Sequence, residues 1–149
     1  MITVSMKEEI FELTTADSTY VEPLNHLLAQ LTSSPVHFTI EELRAIVESP
    51  ASHLFLLRCD GAVLGMLTLC TYLAPTGRKY WIEDVVVDSA ARGKSYGRRL
   101  VQYAVEYARN NGAGTLMLTS KPARVAANAL YRASGFNSKE TNVYVMSVK

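Results

Sequence analysis

Between Val85 and Leu100 the chain reads Val-Val-Val-Asp-Ser-Ala-Ala-Arg-Gly-Lys-Ser-Tyr-Gly-Arg-Arg-Leu. An apolar β-branched run enters a turn holding Gly93 and Gly97, and a helix-forming stretch follows. A helix start presents unpaired N–H groups and about half a positive charge. Glycine lets main chain approach an anion with no Cβ in the way. Arg92, Lys94 and Arg98 add full charges beside those donors. Together these residues suit a diphosphate. The spacing is neither G-x-x-x-x-G-K-[ST] nor G-x-G-x-x-G, so a nucleotide P-loop and a dinucleotide-binding turn are both excluded.

Charge is distributed in keeping with this. The 149 residues sum to a net charge of +1. Residues 1–60 carry three basic side chains against nine acidic, a net of −6, whereas residues 92–132 carry eight basic against Glu106 alone, a net of +7. The basic half points to an anionic ligand. Nucleic acid is disfavoured, because the total is near neutral and no strand interleaves aromatic with basic residues. Cys59 and Cys70 are placed on strands joined at Asp60-Gly61, with position 59 opposite 62. The two would lie about 26 Å apart at ~3.3 Å per residue, far beyond the roughly 7 Å a disulfide tolerates. They read as two buried free thiols. His26, His37 and His53 are scattered, no zinc spacing occurs, and no metal is expected.

The elements that must position the loop follow from periodicity. The length suits one domain, 1–149. Glu9–Thr14 reads as a first strand. Leu24, Leu27, Leu28 and Leu31 form a helical stripe, with Pro23 in its first turn. Thr39-Ile40-Glu41-Glu42 is a capping box opening a second helix over Leu43, Ile46 and Val47, which Pro50 ends. His53–Cys59 and Ala62–Leu73 form a hairpin about Asp60-Gly61. Lys79–Val87 is a further strand. Tyr96, Leu100, Tyr103 and Tyr107 mark a helix stopping at Asn111-Gly112. Thr115–Thr119 is a short strand. A helix starting near Pro122 carries Ala127, Leu130, Tyr131 and Ser134 on its inner face, and Gly135 caps it with Phe136 packing back. Val143–Val148 is a last strand. The order is β-α-α-β-β-β-α-β-α-β, an α/β (α+β) fold. No apolar run approaches the ~18 residues of a membrane span, and Met1–Leu13 lacks a signal peptide's pattern. A soluble, cytoplasmic protein with no membrane partner is expected.

Three segments in this order resemble the GNAT superfamily of acyl-CoA N-acyltransferases, and the resemblance covers nearly the whole chain. Arg92-Gly93-Lys94-Ser95-Tyr96-Gly97 is similar to that family's pyrophosphate loop, [Q/R]-x-x-G-x-[G/A]. Trp81–Asp88 is similar to its fourth strand. Ala127–Phe136 is similar to its A-N-x-L-Y-x-x-x-G-F helix end. One departure is plain: Ser95 stands where the loop usually has its first fixed glycine. A serine can hold a helix start and offer a hydroxyl, but it adopts positive φ only at a cost. Weakened or altered CoA binding, not its loss, is expected.

The resemblance implies a mixed, mostly antiparallel sheet flanked by helices. It implies acetyl-CoA as cosubstrate, lying in a splay between the fourth and fifth strands. The pantetheine arm would run along Val85, Val86 and Val87, pairing with Val85 and Val87. The diphosphate would sit on Arg92, Gly93, Lys94, Ser95, Tyr96, Gly97 and Arg98. Acetyl transfer needs a neutral amine, while an alkyl ammonium titrates near ~10.4, so a base must accept its proton. Glu83 is the implied base, with Asp84 the second choice. Tyr131 is implied as the acid for the departing thiolate. Asn128, three residues earlier on the same helical face, would bond the pantetheine arm, and Arg124 a CoA phosphate. The rim of the acceptor site would be Ser33–Phe38, including His37. The acidic N-terminal half favours a cationic small-molecule amine. The alternatives are a protein acetyltransferase acting on Lys or an N-terminus and a non-catalytic CoA-binding module. A homodimer is a family-level expectation.

Overall fold

The computed structural model describes residues 6–149 of the chain. They belong to two compact units, Met1–Thr119 and Ser120–Lys149.

The first unit is built on one five-stranded sheet in the order β1-β2-β3-β4-β5. The strands are β1 (Glu8–Glu12), β2 (Ser52–Cys59), β3 (Ala62–Ala74), β4 (Gly77–Val87) and β5 (Thr115–Met117). All neighbours are antiparallel except β4 and β5. The β2–β3 turn falls at Asp60-Gly61, with Cys59 opposite Ala62. Both cysteines are free; Cys59 is buried, whereas Cys70 is half-buried rather than fully so.

Helices α1 (Val21–Leu31) and α2 (Ile40–Glu48) cover one face of the sheet. Pro23 is tolerated at the third residue of α1 because no N–H there has an intrahelical partner. A short 3-10 turn at Ser18–Tyr20, capped by Asp17, precedes α1 and has no counterpart in the periodicity. At α2 the capping box is complete, with Thr39 accepting from the Glu42 N–H and Glu42 returning to the Thr39 N–H. Leu24, Leu27 and Leu43 meet Leu54, Leu56, Met66 and Val86 in a closed core. Each such leucine contributes about 1.5–3 kcal/mol by leaving water.

Helix α3 (Tyr96–Asn110) covers the other face. Its stripe is as the spacing requires. Tyr96, Leu100, Val101, Ala104 and Ala108 are buried, and Tyr103 and Tyr107 pack on Phe55 at centroid distances of 5.0 and 5.2 Å. The far end of α3 is tied to β4 by Tyr80, whose hydroxyl lies 2.8 Å from the Gly112 carbonyl oxygen and 3.0 Å from that of Asn111 and donates its one hydrogen between them. Gly114, leading into β5, lies so close to β4 that a Cβ would sit 2.3 Å from the Arg78 carbonyl oxygen.

The second unit holds helix α4 (Val125–Ala133). It ends in a Schellman motif: the Phe136 N–H reaches the Tyr131 carbonyl at 3.0 Å and the Gly135 N–H reaches Arg132 at 3.1 Å. The expected packing back of Phe136 is present, edge-on to Tyr131 at 6.1 Å. The expected last strand, Val143–Val148, is absent: no strand is assigned there. The residues have strand composition, but a strand exists only when main chain pairs with main chain, and theirs has no such partner. No helix among the described residues is long and apolar enough to cross a membrane.

Candidate active site

Strand β4 opens the site. It pairs with β3 from Gly77 to Val87, but with β5 only over Lys79–Trp81. From Ile82 to Val87 its second edge therefore pairs with no strand among the described residues, leaving main-chain donors and acceptors in a row. The register against β3 slips by one residue between Thr68↔Glu83 and Met66↔Val86. The extra residue is a β-bulge with Asp84 in the left-handed region at φ 52°. Simple alternation of Glu83 and Asp84 across the sheet does not survive it. Val86 points into the α1/α2 core, so among Val85, Val86 and Val87 its side chain is spent on packing.

Glu83 and Asp84 are both exposed to solvent. The Glu83 carboxyl is nevertheless pushed above the usual carboxylate range, first by partial desolvation and then by the neighbouring Asp84 charge; a hydrogen bond involving the Trp81 side chain works the other way. The Cys70 thiol is also raised, by burial first, with Glu83 and Asp84 adding to it. Cys70 lies opposite Trp81 across the ladder, so the carboxylates share their strand surface with Trp81 and Cys70, neither of which motif spacing pointed to.

The exit of β4 is pinned from α1. The Ser89 N–H donates to Gln30 Oε1 at 2.7 Å, and His26 Nε2 lies 3.2 Å from Asp88 Oδ2. Asp88 caps the short 3-10 turn Ser89–Ala91 through the Ala90 N–H at 3.0 Å. That bond, ahead of the His26 contribution, holds its carboxyl below the usual range. His26 and Gln30 were not among the expected site residues; their i, i+4 spacing on α1 is the only trace they leave in the sequence.

The loop then delivers its donors. Arg92, Gly93, Lys94, Ser95 and Arg98 are exposed, and among the described residues Arg92, Lys94 and Arg98 form no ion pair. Gly93 has φ +86°. Ser95 caps α3 at φ 61° and ψ 22° with no side-chain hydrogen bond to the helix. The serine thus occupies the left-handed geometry that the usual glycine would take without strain. The first N–H groups of α3, on Tyr96, Gly97 and Arg98, are left free by its side chain. Tyr96 can contribute main chain only. Its ring is buried at 3% exposure, and its hydroxyl donates to Glu8 Oε1 at 2.8 Å. Arg99, next to it, also bonds Glu8.

In the second unit, Asn128 donates to the carbonyls of Lys121 and Arg124, both at 2.8 Å. Its amide hydrogens are committed to shaping that turn, and only its Oδ1 remains to accept from a ligand. Tyr131 is half-buried, and burial raises its hydroxyl pKa while Arg124 opposes the shift. It remains an acid at neutral pH and, among the described residues, its hydroxyl has no hydrogen-bond partner. His37 is exposed. The described residues contain no group of three or more His, Cys, Asp or Glu arranged to hold a metal ion.

An open strand edge runs toward a cationic helix start, so main-chain pairing groups and anion-binding donors follow one another along the chain. Residues 10–136 match the model of the acetyltransferase (GNAT) family, and the chain belongs to that family. It is an acetyl-CoA-dependent N-acetyltransferase. Glucosamine 6-phosphate N-acetyltransferase 1 of Oryza sativa is 34% identical over 128 residues, covering 78% of this chain and 74% of that protein. Streptothricin acetyltransferase of Streptomyces lavendulae is 42% identical over 77 residues, 52% of this chain and 40% of its own length. The fold matches that of aminoglycoside N-acetyltransferase AAC(6')-Iy in complex with CoA, with a TM-score of 0.79 at 15% identity over 99% of both chains.

Proposed function

We propose that this enzyme acetylates a primary amine of a small, cationic molecule, taking the acetyl group from acetyl-CoA by direct attack. The observation that carries this reading is Glu83. It is a carboxylate with a raised pKa, placed where the β4 bulge begins and the strand edge opens. The thioester would lie along Val85 to Val87 as a further strand, with its diphosphate on the loop from Arg92 to Arg98. The incoming ammonium loses a proton to Glu83, directly or through one water, and its lone pair attacks the carbonyl carbon. The tetrahedral intermediate collapses with cleavage of the C–S bond; Tyr131 gives its proton to the departing thiolate and its phenolate takes the remaining extra proton from the nitrogen, leaving the neutral amide, the CoA thiol, a restored Tyr131 and a protonated Glu83. A raised carboxyl makes a stronger base and a raised phenol stays protonated, so both shifts run in the useful direction. Asn128 Oδ1 would accept an amide N–H of the pantetheine arm.

Glu83 and Asp84 side by side favour an acceptor with a second cationic centre over one bearing a phosphate. Among the substrate types named for the relatives, this selects the aminoglycoside or streptothricin kind ahead of the sugar phosphate. The test is release of CoA thiol with aminoglycosides, glucosamine 6-phosphate and a lysine peptide as acceptors. Turnover fastest on the polycationic small molecules supports the reading. Preference for the sugar phosphate would overturn the charge argument, and preference for the peptide would overturn the small-molecule assignment. Replacing Glu83 with Gln should lower kcat/KM by about 10²–10⁴ and remove the acidic limb of its pH profile. Folding disfavours the ionised form of a raised carboxyl, so stability falls as pH rises through its titration. The same variant should therefore melt no lower than wild type at neutral pH, and a large loss of stability would mark Glu83 as structural.

A further inference from the structure

Among the described residues, the α1/α2 core reaches along its face of the sheet as far as Leu54, Met66 and Val86. The ladder fixes what stands on that face beyond it. Thr68 pairs with Glu83, Cys70 with Trp81 and Tyr72 with Lys79. Side chains alternate across a sheet. The intervening Leu69, Tyr80 and Ile82 point to the opposite face and are buried, at 0%, 1% and 4% exposure. Thr68, Cys70, Lys79 and Trp81 are only half-buried, and Tyr72 and Glu83 are exposed. One side of this stretch is core and the other meets solvent.

Trp81 is the chain's one tryptophan, and it precedes Glu83 by two residues on this open face. That spacing is about 7 Å at ~3.3 Å per residue. Tyr72 stands diagonally across the ladder from Trp81, a placement within reach of a large ring. The face of an indole attracts an ammonium that lies within about 6 Å of its centre. We propose that Trp81 determines acceptor specificity: its ring takes a second ammonium group of the acceptor while the amine to be acetylated lies at Glu83. The inference rests on the reading of Glu83 as the base.

Charge selects the occupant. Burial first, and then Glu83 and Asp84, raise the Cys70 thiol, so the negative charge of the acidic pair is felt on the row that Cys70 shares with Trp81. An ammonium over the Trp81 ring gains from that field as well as from the ring. A neutral group gains contact alone, and a phosphate is repelled. Lys79, on the row beyond Trp81, ends the stretch that favours a cation. The two nitrogens of the best acceptor are therefore spaced by about one two-residue strand repeat, the reach of a four-carbon diamine.

The experiment compares putrescine with the four-carbon amino alcohol, which replaces only the second ammonium by a hydroxyl. CoA thiol release is followed for wild type, Trp81→Leu and Trp81→Phe, with melting temperatures to check folding. Wild type should prefer the diamine. Trp81→Leu should lose about 2- to 30-fold in kcat/KM on the diamine, through KM, and little on the amino alcohol. Trp81→Phe keeps a ring face and should recover part of the loss. A structural defect would lower both acceptors alike. The emission of the one tryptophan reports the same contact without turnover: with CoA present, it should change saturably, at lower concentrations of the diamine than of the amino alcohol. An acceptor preference unchanged in Trp81→Leu, equal losses on both acceptors, or emission that ignores the diamine would each overturn the proposal. Failure of the Glu83 reading looks different: Glu83→Gln would keep full kcat while Trp81 emission still answers to the diamine.

Discussion

The two units of the chain are held by different physics. Among the described residues, every buried one lies in the first, between Leu13 and Ala108; the second has none. Residues 6–119 place Glu83, the open β4 edge and the Arg92–Arg98 loop on a sheet closed on both faces by helices. Residues 120–149 carry Tyr131 and Asn128 on a nine-residue helix. That helix is kept in shape by local hydrogen bonds: the Schellman closure at Phe136 and the Asn128 bonds to Lys121 and Arg124. One region buys its precision with burial, the other with short-range bonds. Mutations in the first should therefore register in stability, and mutations in the second in catalysis with little change in stability.

The largest effect sharpens that contrast. Leu56 is fully buried between α1, α2 and the sheet, so Leu56→Ala should cost about 2–5 kcal/mol in urea unfolding. Val125→Ala, at an exposed position of α4, should stay within about 0.5 kcal/mol. Equal losses would break the comparison. Next is Tyr131→Phe. It should reduce kcat by about 10²–10⁴ while leaving acetyl-CoA affinity and melting temperature unchanged, because the hydroxyl holds nothing in the protein. Unaltered kcat would remove Tyr131 from the reaction. Gly93→Val comes third. No atom lies within 4 Å of its would-be Cβ, so the cost is conformational at φ +86°, roughly 1–2 kcal/mol. Added bulk toward the phosphates should weaken acetyl-CoA by about tenfold or more, which calorimetry would read.

The smallest effect has the opposite sign. Ser95→Gly should relieve the left-handed strain, a gain of up to about 1 kcal/mol once glycine's greater unfolded freedom is deducted. Acetyl-CoA should bind more tightly as the loop is freed. Weaker binding would mean that the Ser95 hydroxyl itself contacts the phosphate.

Much of the fold was legible because its signals are local. The Thr39–Glu42 capping box, the Asp60-Gly61 turn, the tyrosine stripe of α3 and the Gly135-Phe136 helix end each depend on a few neighbouring residues, and each is where the spacing put it. That Arg92 to Ser95 form a turn and a helix starts at Tyr96 was legible for the same reason. What escaped depends on pairing across the chain. The bulge at Asp84 is a mismatch in length between two strands, and no feature of Glu83-Asp84-Val85 announces a left-handed aspartate. The commitment of the Tyr96 ring to Glu8 spans 88 positions. The His26 and Gln30 contacts that pin Asp88 and Ser89 likewise arise only when α1 lies against the end of β4. Val143–Val148 was expected as a last strand and is not one: its composition is that of a strand, but a strand is a property of two segments, and composition names no partner.

The measurement that bears most directly on the account is calorimetric titration of the protein with acetyl-CoA, beside dephospho-CoA and ATP. The open β4 edge and the cationic start of α3 predict saturable binding of one acetyl-CoA per chain that ATP does not match, since ATP has phosphates but no arm to pair along Val85–Val87. Failure of every CoA species to bind, or ATP binding equally well, would contradict it.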